Sequence, residues 1–137
     1  MQRETEKICD CIKSFVRLEV VADMLNYVEG EAVFLRALID EGKKSSPSVM
    51  ADKMGVSKGR ITALIIRLSD KGLVKTAQSV EDGRKTEVHI TEEGEKFVAD
   101  MKKKVDDDIV RIFDKLGKGK ALKLLDLMQY AVAKSKK

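Results

Sequence analysis

The chain has 137 residues, 43% of them hydrophobic and 36% charged, with a single proline, Pro47. This suits one domain with a real core and long amphipathic helices, and it argues against a turn-rich all-β fold. The formal net charge is +4, and two cysteines, Cys9 and Cys11, are too few for a disulfide framework.

The opening Met1-Gln2-Arg3-Glu4 leads into no apolar segment. No run approaches the roughly 20 apolar residues that span a bilayer, so a cytoplasmic location with no membrane contact is expected. Residues 4–27 then place Ile8, Ile12, Phe15, Val16, Val21, Met24 and Leu25 at helical spacing. Between Val20 and Leu25 the pattern is apolar on more than one side. A surface helix needs one apolar stripe, so the second predicts a partner. A helix over 29–41 follows, with Val33, Phe34, Ala37, Leu38 and Ile39 inward and Gly42 ending it.

Ser46-Pro47 reads as an N-cap and first helical residue, opening a short helix that Gly55 stops after Met54. Ser57 caps the next helix, 58–71, in which Ile61, Leu64, Ile65 and Leu68 face the core and Val56 staples onto Ile61. Gly72 closes it. Strands are predicted at 73–78 and 86–90, and the Asp82-Gly83 pair between them signals a hairpin. Thr91 starts a long helix with the stripe Phe97, Met101, Val105, Ile109, Ile112 and Leu116. Gly117 and Gly119 interrupt it before a last helix over 120–134, which carries Leu122, Leu124, Leu125, Leu127, Met128 and Val132.

The expected fold is therefore mostly α with a small β-wing: a winged helix-turn-helix domain flanked by N- and C-terminal helices. Residues 30–92 form the winged region. Residues 1–29 and 93–137 carry more apolar surface than so small a domain should leave uncovered, which makes them the natural dimerisation layer. The charge follows the same division. Between Lys43 and Lys85 stand ten Lys/Arg against four Asp/Glu, a surplus of six in a chain of net +4, so the flanks together carry −2. A basic centre on a near-neutral scaffold is what a nucleic-acid reader presents.

The helix pair turns on Ala51, small enough for a close crossing, and Gly55, which permits a positive φ. An ordinary αα-hairpin shares those features; the basic second helix and the wing separate the two. On the helix after Ser57, Gly59, Thr62, Ala63, Ile66 and Asp70 lie opposite the core stripe, with Lys58, Arg60 and Arg67 flanking them. Gly59 costs about 1 kcal/mol against alanine in a helix, but Gly59 and Ala63 are short and would let the helix sit deep in a major groove. Arg60 or Lys58 could then reach guanine, and Thr62 a thymine methyl or a phosphate, while Ser57 and the helix N-terminus offer N–H groups to a phosphate. Arg67 fits either a contact or a solvated face. Ile66 fits neither account and is expected to pack under the wing. At the wing tip, Arg84 could enter a minor groove with Asp82 holding its guanidinium, and Lys85 adds charge beside it.

Together the run Ser46-Pro47-Ser48-Val49-Met50-Ala51-Asp52-Lys53-Met54-Gly55-Val56-Ser57-Lys58-Gly59-Arg60-Ile61-Thr62-Ala63-Leu64, then Arg67-Leu68, Lys71-Gly72-Leu73-Val74, Asp82-Gly83-Arg84 and Val88 with Ile90-Thr91-Glu92-Glu93-Gly94, resembles the MarR (multiple-antibiotic-resistance regulator) family. The motifs cover about residues 30–98. The resemblance implies a homodimer joined through its terminal helices and two winged domains on a pseudo-palindromic DNA operator. It often goes with a small-molecule or oxidant signal, which the sequence does not identify. It also implies Arg84 as the minor-groove residue, Asp82 as its positioner, and the helix from Ser57 to Arg67 as the major-groove reader. The junction Asn26-Tyr27-Val28-Glu29-Gly30 departs from the family's usual pattern.

The function expected is a sequence-specific double-stranded DNA-binding regulator, a repressor by preference. The rival is a winged-helix protein–protein interaction module. No enzyme is expected, because no nucleophile–base set, phosphate-cradling glycine loop or pair of cleft carboxylates is visible. Asp106-Asp107-Asp108 after Lys102-Lys103-Lys104 reads as a helix surface laced with i,i+4 pairs. The lone histidine, His89, stands far from both cysteines, so no zinc set and no cofactor are expected. Cys9 or Cys11 could sense oxidants, but a buried, inert thiol in a dimer core is the favoured reading.

Overall fold

Where one N-terminal helix was expected, two are found. In the computed structural model, which describes residues 1–81 and 83–136, α1 (Gln2–Val16) ends and α2 (Glu19–Glu29) begins across Arg17 and Leu18. Leu18 turns the backbone extended, with φ −61° and ψ 132°, and no side chain caps the new helix. Neither proline nor glycine marks this break, so the apolar periodicity runs through it unaltered. Its cause is tertiary: α2 packs on the rest of the fold and buries Val21, whereas α1 buries nothing.

Gly30 makes the tight passage into α3 (Glu31–Asp40); a Cβ there would stand 2.6 Å from the Asn26 carbonyl oxygen. Arg36 spans the same junction. Its guanidinium stacks 4.1 Å from the Tyr27 ring centroid and donates to the Tyr27 carbonyl at 2.9 Å. The expected inward face of α3 is partly corrected. Phe34 and Leu38 are buried, but Ala32 and Leu35 are too, while Val33, Ala37 and Ile39 are only half-buried. A helix apolar nearly all round does not reveal by period which side is covered.

After Gly42 and Lys43, both at positive φ (89° and 73°), comes a strand that was not expected, β1 (Lys44–Ser45). Two residues are too few to show alternation. Next come α4 (Pro47–Met54), α5 (Lys58–Asp70), β2 (Val74–Gln78), β3 (Thr86–Ile90), α6 (Glu92–Leu116) and α7 (Lys118–Ser135). The sheet is antiparallel in the order β1-β3-β2, with Ser45 opposite Val88 and Thr76 opposite Val88 on its other side. Phe34, Leu35, Leu38, Met50, Ile61, Leu68, Val74 and Val88 are fully buried and form the centre of the core. The winged region therefore folds around α3, and the outer helices extend from it. Along α6, Val98 and Val105 are buried, Phe97, Met101, Ile109 and Ile112 are half-buried, and Leu116 is exposed.

Candidate nucleic-acid interface

Local chemistry sets each edge of the helix-turn-helix. The Ser46 hydroxyl accepts from the Val49 N–H at 3.2 Å, with Pro47 at the first helical position. Gly55 ends α4 in the left-handed conformation, φ 66° and ψ 34°. Ser57 caps α5 by accepting from the Arg60 N–H at 3.2 Å. Ala51 is buried at the helix crossing. Two ion pairs brace this unit on α3: Lys53 to Glu41 at 3.1 Å, and Lys71 to Glu31 at 2.7 Å.

Ile61, Ile65 and Leu68 bury one face of α5, with Leu64 half-buried at its margin. Gly59, Thr62, Ala63, Ile66 and Asp70 are exposed on the other face, and Lys58, Arg60 and Arg67 are exposed around them. Arg60 and Arg67 share one flank, where they border a cleft with Glu29 and Glu31 at the α2–α3 junction. Lys58, two residues before Arg60, leaves the other side of the helix. The Thr62 hydroxyl donates to the Lys58 carbonyl at 2.9 Å. Ile66 is 55% exposed on the outward face, not packed under the wing as expected. The wing is joined on only after α5 has ended at Asp70, and no wing residue covers this middle turn among the described residues. Ile66 is also the residue of this face that sequence reasoning left without a role; its apolar character between Thr62 and Asp70 was the available signal.

The wing closes with the Ser79 N–H donating to the Lys85 carbonyl at 2.8 Å. Gly83, Arg84 and Lys85 are exposed at its tip, and Val80 is fully exposed. Asp82, expected to position Arg84, lies outside the described residues. At the wing base, Thr91 Oγ1 donates to the Gly72 carbonyl at 2.7 Å and accepts from the Gly94 N–H at 3.0 Å. Gly94 lies so close to the α5–β2 turn that a Cβ would meet the Leu73 carbonyl oxygen at 2.2 Å.

The basic surplus is not all turned outward. Lys43 pairs with Glu95 at 2.8 Å, and its pKa is raised by that hydrogen bond first and by the carboxylate charge second. With Lys53 and Lys71 it acts within the fold. His89 is half-exposed on β3, its Nε2 3.1 Å from a Glu87 carboxylate oxygen. Among the described residues, no group of three His, Cys, Asp or Glu is placed to hold a metal ion, and no helix is long and apolar enough to cross a membrane. Cys9 and Cys11 are exposed on α1 in the single protomer, not buried.

A helix-turn-helix with a β-hairpin wing, carried between long terminal helices, defines a winged-helix fold. Residues 25–85, a little under half of the chain, match the model of the MarR family. Over 57 residues it is 40% identical to the HTH-type transcriptional repressor IacR of Pseudomonas putida. That stretch is 42% of this chain but 34% of the repressor, so the match spans about a third of the relative's length. The fold is similar to that of the YusO protein from Bacillus subtilis, with a TM-score of 0.74 and 18% identity, covering 98% of this chain and 96% of that one. It is also similar to a mutant of MepR from S. aureus bound to an oligodeoxyribonucleotide, with a TM-score of 0.66 and 12% identity, covering 96% and 98%.

Proposed function

We propose that this chain is a cytoplasmic homodimer that binds double-stranded DNA at two half-sites and represses transcription there. Residues 30–92 read the DNA; residues 1–29 and 93–137 join the protomers. In this reading α5 lies in the major groove, with Lys58, Arg60 and Arg67 on bases or phosphates, and Arg84 and Lys85 of the wing reach the adjacent minor groove. The observation that carries it is the outward face of α5. It is short at Gly59 and Ala63, edged by cations, and left uncovered by the other described residues. The MepR mutant of similar fold is bound to an oligodeoxyribonucleotide, which supports DNA as the partner. The repressor IacR matches over 57 residues, which supports repression.

The test is selection of duplexes from a random-sequence pool, followed by affinity at rising salt. Enrichment of a pseudo-palindrome with half-sites one helical turn or a multiple apart is expected, as is a steep fall of log affinity with log salt. Arg84→Gln should weaken binding and lower the salt slope by about 1. Absence of any binding at low salt refutes the proposal.

A further inference from the structure

Ile66 is the one large apolar side chain on the outward face of α5, and it is 55% exposed. It follows Thr62 and Ala63 by about one helical turn and Gly59 by about two, so all four share a face. Many other exposed large apolar residues stand among their own kind on α1 and α7, such as Ile8, Ile12, Leu125 and Met128. Ile66 instead stands alone among polar neighbours, with Arg67 beside it and Asp70 one turn further on, while Lys58 and Arg60 edge the N-terminal half of the same helix.

The neighbours of Ile66 narrow what it could touch. A Cβ at Gly59 would meet nothing within 4 Å, so the helix has open space there for a close approach. Thr62 uses its hydroxyl proton on the Lys58 carbonyl at 2.9 Å, which leaves a methyl group and an acceptor lone pair to offer. The strip formed by Gly59, Thr62, Ala63 and Ile66 thus presents aliphatic groups and no side-chain donor. In the major groove one base edge alone is aliphatic, the 5-methyl of thymine; the others present nitrogen and oxygen. An isoleucine laid over a polar edge would strip its water and replace no hydrogen bond. Lys58, Arg60 and Arg67 outnumber the single acid of this surface, Asp70, and that surplus matches a polyanion around the apolar contact.

The geometry points to Ile66 as a specificity-determining residue of α5, packing on a thymine methyl in each half-site and disfavouring other bases there. This inference rests on the proposed placement of α5 in the major groove.

The experiment takes the duplex enriched by the full chain and replaces its thymines one at a time with deoxyuridine, which removes only the methyl group. One position in each half-site is expected to lose about fourfold in affinity, the effect of burying a single methyl group. Against Ile66→Ala protein the same replacement should have no effect, while Ile66→Val should keep the sensitivity. Because the side chain is exposed, both variants are expected to melt like the parent, which separates recognition from folding. Equal sensitivity in parent and Ile66→Ala protein, or none in the parent, overturns the assignment of Ile66 while leaving DNA binding intact. Failure to enrich any duplex overturns the placement of α5 and the Ile66 assignment together.

Discussion

Thr91 donates its hydroxyl hydrogen to the Gly72 carbonyl at 2.7 Å, and the same oxygen caps α6 by accepting from the Gly94 N–H at 3.0 Å. One side chain thereby joins the end of the candidate reading helix to the start of the helix that leaves the wing. Thr91→Val keeps the shape and removes both bonds. Loss of a helix cap and of a partly buried carbonyl's partner should together lower stability by about 2 kcal/mol. Thr91→Ser should recover most of it. Urea denaturation checks this: the midpoint should fall at unchanged slope. A midpoint equal to the parent's would mean that water replaces the hydroxyl without loss.

Gly94 and Gly59 should respond in opposite ways to alanine. At Gly94 the added Cβ would meet the Leu73 carbonyl oxygen at 2.2 Å and Ile90 Cγ1 at 2.7 Å. Relief requires backbone movement, so Gly94→Ala should destabilise by about 3 kcal/mol. At Gly59, in the first turn of α5, nothing lies within 4 Å. Gly59→Ala should stabilise by up to about 1 kcal/mol through helix propensity. Under the proposed DNA contact, its affinity for the enriched duplex should nevertheless fall, because the new methyl group occupies the closest approach. Thermal melts and binding isotherms on both variants give four numbers. A Gly59→Ala protein both more stable and equally tight would remove the steric account of this glycine.

Much of the winged region was legible because its signals are local. Ser46-Pro47, Gly55, Ser57, Gly72 and Thr91 each fix a helix end through a side-chain hydroxyl cap or their own backbone conformation, and each stands where the structure uses it. Gly119, expected to break the chain before the last helix, lies inside α7, which starts at Lys118. Three other features that sequence reading missed are non-local. The break at Arg17–Leu18 follows from where α2 docks. The two-residue strand β1 exists only through pairing with β3. The buried face of α3 depends on which neighbours cover a helix that is apolar nearly all round. At the site, sequence placed the outward face of α5 correctly but put Ile66 beneath the wing. Sequence alone does not give the direction in which a hairpin leaves its helix.

A further prediction concerns alkaline pH. Lys104 on α6 pairs with Asp23 of α2 at 2.9 Å and lies 3.9 Å from Glu19. The hydrogen bond to Asp23, then its charge, raises the Lys104 pKa above the ordinary 10.5. A raised folded-state pKa stabilises fully below the unfolded value and loses that stabilisation as pH climbs through the folded one. Stability should therefore be flat in this respect up to about pH 10, then decline. Lys104→Met should remove the part of the decline owed to this pair. Unfolding free energies measured between pH 8 and about 11.5 test it; parallel curves for parent and variant would assign the alkaline limb to other groups.

The helix α1 poses the sharpest question about assembly. It spans 15 residues and buries none, yet it presents Ile8, Ile12, Phe15 and Val16 along one side. Isolated helices below about 12–15 residues are marginal in water, so α1 needs a surface to cover that stripe. On α7, Leu122, Leu125, Met128 and Val132 are similarly exposed, and in the proposed homodimer a second copy of the chain covers these surfaces. Ile12→Glu with Phe15→Glu should place charges in that contact, where desolvation without a partner is costly. The expected result is a protein of half the sedimentation mass that loses far-ultraviolet helicity equivalent to much of α1. Its affinity for a duplex with two half-sites should collapse towards that for one, because the second contact no longer follows from the first. A double variant that keeps the parent's mass and helicity would show that α1 is covered by something other than its twin.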